Sequence, residues 1–164
     1  MKTLYLMRHA KSSWENAGIA DFDRPLNDRG IRAAVFMGSL ARERSLLPEI
    51  IVCSTAERAR QTQELFCAAA GFDGVAATDI GIYEAPAGRL VEIISALDDR
   101  YDSAMLIGHN PGMEGLIYYL TSVVEPMPTA AIAIIELNNE KWSDIGIGTS
   151  RLACVLRPRQ LMDG

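Results

Sequence analysis

LYLMRHAKSSW, residues 4–14, sets an apolar run directly before an arginine and a histidine. The run at residues 4–7 is continuously apolar, which is typical of a strand buried on both faces of a parallel sheet. Ligands of such sheets lie beyond the carboxyl ends of the strands. The stretch therefore predicts a central strand that ends with Arg8 and His9 at the functional edge of the sheet.

Short apolar runs alternate with helical patterns along the rest of the chain. Strands are predicted at residues 50–53, 104–107, 131–137 and 152–156, with one more strand-like run between the second and third helices. Helices are predicted near residues 33–40, 56–69, 90–97 and 113–120, where apolar residues recur at helical spacing. This alternation predicts a three-layer α/β/α sandwich with a mainly parallel sheet and one antiparallel pair at an edge, made by the last two strands.

The overall composition limits the classes of protein to consider. A length of 164 residues and a hydrophobic fraction of 49% predict a single domain over residues 1–164. The net charge of -5 argues against nucleic-acid binding. The most apolar stretch, residues 116–137, is interrupted by Glu125, Pro126 and Pro128, so no membrane span is expected. No heptad pattern or apolar seam is present, which favours a monomer.

Cysteine usage and the N-terminus predict a cytoplasmic protein. The three cysteines, at an odd number and without CxxC spacing, predict buried free thiols in a reducing compartment. They are Cys53, Cys67 and Cys154. The first seven residues lack the long apolar region of a secretory signal.

The chain has two histidines, and each follows a predicted strand. A neutral imidazole such as that of His9 can attack phosphorus and form a covalent intermediate. The neighbouring Arg8 disfavours the imidazolium form and offers a planar fork of donors to phosphate oxygens. His109 lies in GHNPG, where Asn110 and Pro111 predict a helix start, and an anion held at that helix N-terminus could accept its hydrogen bond. A charged His109 could then stabilise the equatorial oxygens during transfer.

Arg58 supplies a fourth candidate, in STAERARQT at residues 54–62. Ser54 and Glu57 have the spacing of a capping box, which predicts Ser54 as the N-cap of the second helix. Arg58 would then lie in the first helical turn, where a cation costs about 0.3–1 kcal/mol unless an anion offsets it. Two arginines and two histidines around one tetrahedral dianion suit phosphoryl transfer. No metal-ligand cluster or nucleotide motif appears, so neither a metal nor a cofactor is expected.

The three motifs RHAKSSW, STAERARQT and GHNPG, in this order, resemble the histidine phosphatase superfamily, the phosphoglycerate mutase-like group. RHAKSSW, DRPLNDRG and the short chain together resemble its compact phosphohistidine phosphatase branch. The superfamily's usual Arg-His-Gly is Arg8-His9-Ala10 in this chain. The resemblance implies that His9 is the phosphorylated nucleophile. It further implies that Arg8, Arg58 and His109 complete the phosphate pocket.

The proton donor for the leaving group has three candidates in the sequence. Glu84 is the first candidate by position, and Asp21 and Asp23 are alternatives. A site without a strong acid favours phosphoramidates such as phosphohistidine, whose nitrogen leaves more readily than an alkoxide. Lys11 and Ser12 are predicted to contact substrate at the entrance, with Ser13 and Trp14 beside them. Packed or solvated loop residues are the alternative interpretation of these four.

The spacing of the motifs bears on the substrate. A helix, a strand-like run, a second helix and a strand fill the interval from Arg58 to His109, which leaves no room for a lid subdomain. An open site without a lid suits a phosphate displayed on another protein. The predicted function is thus a metal-independent phosphatase that acts on a phosphoprotein and releases phosphate ion. Two alternatives remain: a small-molecule phosphomonoesterase of the same superfamily, and a phosphate-binding module without turnover.

Overall fold

The computed structural model describes residues 1–162. Six strands and five helices form the framework, and three short 3-10 turns lie at residues 21–23, 80–82 and 142–144. The strands are β1 (Lys2–Arg8), β2 (Ile50–Cys53), β3 (Val75–Thr78), β4 (Ser103–Gly108), β5 (Ile132–Leu137) and β6 (Ser150–Leu156). The helices are α1 (Asp28–Glu43), α2 (Glu57–Ala70), α3 (Ala87–Ser95), α4 (Gly112–Thr121) and α5 (Pro158–Met162).

The strands form one sheet in the order β3-β2-β4-β1-β5-β6. The first four strands in that order run parallel, and β5 runs antiparallel to both β1 and β6. The predicted mainly parallel sandwich is confirmed, but the prediction of one antiparallel pair was incomplete. After α4 the chain returns to the carboxyl edge of the sheet, where the Met127 carbonyl accepts hydrogen bonds from Arg8 and Asn110. From that edge β5 can only run back against β1.

Side chains of β1 alternate between two cores, one on each face of the sheet. Leu4 and Leu6 pack with α3 and α4, whereas Tyr5 and Met7 pack with α1 and α2. Burial on both faces explains why the β1 sequence is continuously apolar. It also fixes Arg8 and His9 at the end of a strand that has neighbours on both sides.

The edge strands differ from the buried strands. All four residues of β3 are exposed, and in β6 only Leu156 is buried.

Cys53 is buried as expected, but Cys67 is half-buried and Cys154 is exposed, so the prediction of three buried thiols was wrong. Cys154 lies on the edge strand, where an apolar run need not be covered.

Within residues 1–162, every helix is too short or too polar to cross a lipid bilayer.

Candidate active site

Four side chains predicted from the sequence lie at the carboxyl edge of the sheet and close to one another. Arg8 ends β1, His9 follows it, Arg58 lies in the first turn of α2, and His109 follows β4. The two imidazole rings have centroids 5.1 Å apart. The Arg58 Nε donates to His9 Nε2 over 3.4 Å, a long hydrogen bond.

The His9 ring has one defined tautomer. Its Nδ1 lies 2.7 Å from the carbonyl oxygen of Ala10, which can only accept, so Nδ1 carries the proton. Nε2 therefore keeps its lone pair, on the side of the ring that faces Arg58. Burial lowers the pKa of His9 to about 3, and the nearby charges of Arg58 and Arg8 add to the effect. The imidazole is thus neutral and nucleophilic at neutral pH.

His109 is held by a residue that the sequence had assigned to helix capping. Its Nε2 lies 2.7 Å from Ser54 Oγ. Burial, followed by the charge of Arg58, lowers the pKa of His109 to about 4. His109 is therefore neutral at neutral pH in the protein without a bound anion, and the charge expected beside a phosphate stays a prediction. A dianion close to the ring would raise this pKa again, because it favours the charged form.

The capping prediction for Ser54 was also wrong. Helix α2 begins at Glu57, its N-cap is Ala56, and no side chain caps it. Ser54 Oγ instead accepts from the Ala56 amide and contacts His109. The predicted start of α4 was off by one residue: the helix begins at Gly112 after Pro111, and Asn110 Oδ1 accepts from the Glu114 amide.

Asp21 fixes the guanidinium group of Arg58. Arg58 Nη2 donates to Asp21 Oδ2 over 3.1 Å, and Nη1 donates to the Asp21 carbonyl over 2.7 Å. The Tyr83 hydroxyl donates to the same Oδ2 over 2.6 Å, and Arg24 binds the other carboxylate oxygen. The Tyr83 hydroxyl, with Arg24 and Arg58, lowers the pKa of Asp21 to about 2. Asp21 is therefore ionised at neutral pH, which contradicts its role as an alternative proton donor.

The loop that carries His9 is bonded to two neighbouring elements. Thr62, fully buried in α2, accepts from the Ala10 amide over 2.9 Å and donates to the Arg58 carbonyl over 2.7 Å. The His9 amide donates to the Gly108 carbonyl at the end of β4. These bonds hold the three motif segments at fixed positions relative to one another.

Two polar atoms of the site are buried without a hydrogen-bond partner among residues 1–162. They are Arg8 Nε and His109 Nδ1. Leaving such groups unpaired costs about 1–3 kcal/mol each. Both are suited to an oxyanion, since Arg8 Nε is a donor and the tautomer of His109 can place a proton on Nδ1. The geometry and the charges therefore suit a tetrahedral oxyanion beside His9 Nε2.

The remaining predicted site residues lie outside this group. Glu84 is exposed, and no hydrogen bond joins it to the four side chains in the part of the chain that the structure describes. Ser12 is buried, where its Oγ accepts from Arg24 Nη1 over 2.7 Å. Lys11 is exposed on a separate cavity beside α1. Trp14 is 75% exposed and stacks on the Arg24 guanidinium group.

Sequence reasoning missed several residues of the site, each for a different reason. Asp21 forms an ion pair with Arg58. The two residues are 37 positions apart, so the sequence indicated Asp21 only as a candidate acid. Tyr83, whose ring lies edge-on to His109, follows a short 3-10 turn without a motif. Thr62 gave no signal at all, since a buried helical threonine resembles any other core residue.

Within residues 1–162, no group of three or more histidine, cysteine, aspartate or glutamate side chains has the arrangement of a metal site. Metal independence stays a prediction, which the EDTA experiment below tests.

The fold and the site define an α/β protein that gathers two imidazoles and two guanidinium groups at the carboxyl edge of a mainly parallel sheet. Residues 4–105 match the family model of the histidine phosphatase superfamily, branch 1, and the chain belongs to that family. The resemblance noted from the sequence is thus confirmed.

Relatives in sequence and structure agree with this placement. An uncharacterized protein of Mycobacterium tuberculosis is 35% identical over 93% of this chain and 100% of its own length. A structure of a SixA protein from Agrobacterium tumefaciens, assigned as a phosphohistidine phosphatase, is 30% identical with a TM-score of 0.81, covering 96% of this chain and 98% of that one. The protein histidine phosphatase SixA complexed with tungstate has the same fold, with a TM-score of 0.83 at 22% identity, covering 97% and 99%. The compact phosphoglycerate mutase-like fold is therefore confirmed, and the elements of residues 1–162 include no lid subdomain.

The two depressed imidazole pKa values predict how stability depends on pH. Both lie below the ordinary value of 6.5, so between pH 6.5 and about 4 the unfolded chain binds more protons than the folded chain. The free energy of unfolding should fall as pH falls through this window, by up to about 1.4 kcal/mol per pH unit for each imidazole. Urea unfolding at about pH 7 and about pH 5 measures this slope. The control is His9→Gln combined with His109→Gln, and an equally steep slope in this variant would exclude the two rings as the cause.

Proposed function

We propose that the protein is a metal-independent phosphatase that removes phosphate from phosphohistidine in a protein substrate. His9 Nε2 attacks the phosphorus, forming an N–P bond as the bond to the substrate nitrogen breaks. Water then attacks the phosphorus of the phosphorylated His9, which releases phosphate ion and regenerates the imidazole. Arg8, Arg58 and His109 hold the phosphoryl oxygens and offset their charge during both steps.

The absence of a suitable acid supports a nitrogen leaving group. Among residues 1–162, Asp21 is the one carboxylate hydrogen-bonded to any of the four side chains, and its low pKa keeps it ionised. An alkoxide leaving group needs a proton donor in the transition state. The imidazole of phosphohistidine, once protonated on its other ring nitrogen, leaves as a neutral ring without an enzymatic acid. This is the observation on which the choice of substrate depends.

A protein substrate is supported by the connection between the motifs. Helix α2, strand β3, helix α3 and strand β4 fill the chain from Arg58 to Gly108, so no inserted subdomain covers the site in the described residues. Lids in other enzymes enclose small substrates and exclude water. An uncovered site suits a phosphorylated side chain that projects from a partner protein. Phosphatase activity itself is supported by the family membership.

The substrate assignment is tested by comparing kcat/KM on a phosphohistidine peptide, a phosphoserine peptide and a sugar phosphate, each with and without EDTA. We expect the phosphohistidine peptide to be preferred at least about 100-fold over both phosphate esters, because only the esters need an acid. EDTA should change none of the rates. A preference for the sugar phosphate would favour the small-molecule alternative, and phosphate binding without any hydrolysis would favour the non-catalytic alternative.

Glu84→Gln tests whether hydrolysis of N–P and O–P bonds depends on Glu84 as a proton donor. Glu84 is exposed and has no hydrogen bond to the site in the described chain, so its loss should change kcat on the phosphohistidine peptide less than about twofold. If Glu84 nevertheless approaches bound esters as an acid, hydrolysis of the phosphoserine peptide should fall about 100-fold or more. An equal large loss on both peptides would show that the site depends on an acid and would contradict the proposed preference.

A further inference from the structure

A cavity beside the active site indicates that the substrate carries negatively charged groups in addition to its phosphate. The cavity has a volume of about 530 Å³ and is lined by residues of four separate segments. We call it the basic cavity, and its lining residues are Lys11, Arg29, Arg32, Ala33, Pro128, Thr129, Pro158, Arg159 and Met162. Four of these residues are cationic and none is acidic.

The four cations are not explained by the fold. Lys11, Arg29, Arg32 and Arg159 are exposed. None of them forms an ion pair with a carboxylate of residues 1–162, although the chain holds 21 acidic and 16 basic residues. Arg29 also lies in the first turn of α1, where a cation opposes the helix dipole. Gathering like charges in one place costs free energy, which no ion pair among residues 1–162 offsets.

The basic cavity borders the backbone that carries His9. Lys11 lies two residues after His9, so their Cα atoms are at most about 7 Å apart. On the other side, Thr129 precedes Ala130, whose amide donates to the carbonyl oxygens of Arg8 and His9. The cavity wall therefore lies within a few residues of the His9 backbone, close enough for groups that flank a phosphate bound at His9 to reach it.

The geometry of Lys11 is fixed by a close packing contact. A Cβ atom added at Gly30 would lie 2.1 Å from the Lys11 carbonyl oxygen, so α1 packs directly on the backbone at Lys11. The Asn27 amide also donates to this carbonyl. Arg29 and Arg32, three positions apart, project from one face of the same helix. The backbone positions of Lys11, Arg29 and Arg32 are thus set by the packing of α1 on the segment after His9.

The lining favours an acidic peptide segment as the ligand. No aromatic side chain among the described residues lines the cavity, so a nucleobase would lack a stacking partner. The volume is far larger than one oxyanion needs and falls in the range of pockets that hold larger ligands. With a net charge of -5, the protein repels polyanions except where cations are concentrated. We infer that the basic cavity binds aspartate or glutamate side chains that flank the phosphorylated residue of the protein substrate, an inference that rests on the proposed function.

The test compares two phosphohistidine peptides, one with two glutamates on each side of the phosphohistidine and the other with glutamines at those positions. The wild-type protein should prefer the glutamate peptide in kcat/KM by about tenfold, the scale of a few exposed ion pairs. Arg29→Gln combined with Arg32→Gln should reduce this preference to about twofold or less. The preference of the wild-type protein should also shrink from about 50 mM to about 500 mM salt.

The matched control is Arg42→Gln combined with Arg44→Gln. These exposed arginines lie at the other end of α1 and outside the cavity, and the double change removes the same net charge. The control should keep the wild-type preference. Equal kcat/KM of the wild-type protein for both peptides, or an equal loss of preference in both double variants, would overturn the inference.

Failure of the proposed function is distinguishable from failure of this inference. If the wild-type protein hydrolyses neither peptide, the proposed function is wrong, and the cavity is then tested by direct binding. Fluorescence anisotropy of a labelled, unphosphorylated hexaglutamate peptide should show binding that is at least about fivefold weaker in the Arg29→Gln, Arg32→Gln variant than in the control. Undetectable binding by the wild-type protein, or equal binding by both variants, would overturn the assignment of the cavity.

Discussion

His9→Ala is expected to lower kcat on a phosphohistidine peptide at least about 1,000-fold, because the variant lacks the atom that bonds to phosphorus. No neighbouring group can replace His9 Nε2. The nearest imidazole, His109, has its ring centroid 5.1 Å away and its own Nε2 bonded to Ser54. Steady-state release of inorganic phosphate measures the loss.

The loss of kcat can be assigned to the missing nucleophile only if the variant is folded. The variant should remain folded, since removal of the ring leaves two groups, the Ala10 carbonyl and Arg58 Nε, without their His9 partner, at a cost of about 1–3 kcal/mol each. Circular dichroism and thermal unfolding check this. A folded His9→Ala protein that retains more than about a tenth of the wild-type kcat would refute covalent catalysis by His9.

Arg58→Ala is expected to lower kcat/KM about 100- to 1,000-fold, the scale observed when one preorganised donor to a developing oxyanion is removed. Arg58 is buried, its Nε reaches His9 Nε2, and both of its Nη atoms are held by Asp21. The guanidinium group is therefore preorganised beside the nucleophile. Its loss also removes one of the positive charges that help to keep His9 neutral.

Arg60→Ala is the matched control for this variant. Arg60 lies two residues further along α2, and its guanidinium group is exposed and pairs with Glu57. Its removal should change kcat/KM less than about twofold, since in the described chain Arg60 pairs with Glu57 and not with any of the four side chains of the site. Equal effects of the two substitutions would mean that Arg58 acts only through the net charge of the helix.

The fold was largely predictable because its strands are buried on both faces. Continuous apolar runs such as residues 4–7 and 104–107 have few other interpretations when helices alternate with them. The edge strand β3 gave a weaker signal, since its sequence VAAT is short and exposed. The direction of β5 could not be predicted, because it depends on where the loop after α4 returns to the sheet.

The candidate site was predictable only where residues follow strand ends. Arg8, His9 and His109 could be placed together because parallel strands bring their carboxyl ends to one edge. Asp21 and Tyr83 belong to short 3-10 turns or their ends, and only the folded loops bring them to Arg58. Ser54 had a sufficient local explanation as a helix cap, which concealed its contact with His109.

The most direct test of the central claim is to trap the phosphorylated protein in an alkaline quench and to identify the phosphorylated atom by mass spectrometry and phosphorus NMR. Because Nδ1 of His9 donates to the Ala10 carbonyl and Nε2 keeps its lone pair, the structure predicts one acid-labile phosphate on Nε2 of His9. Phosphate on Nδ1 of His9 or on His109, or turnover without any phosphorylated protein, would contradict it.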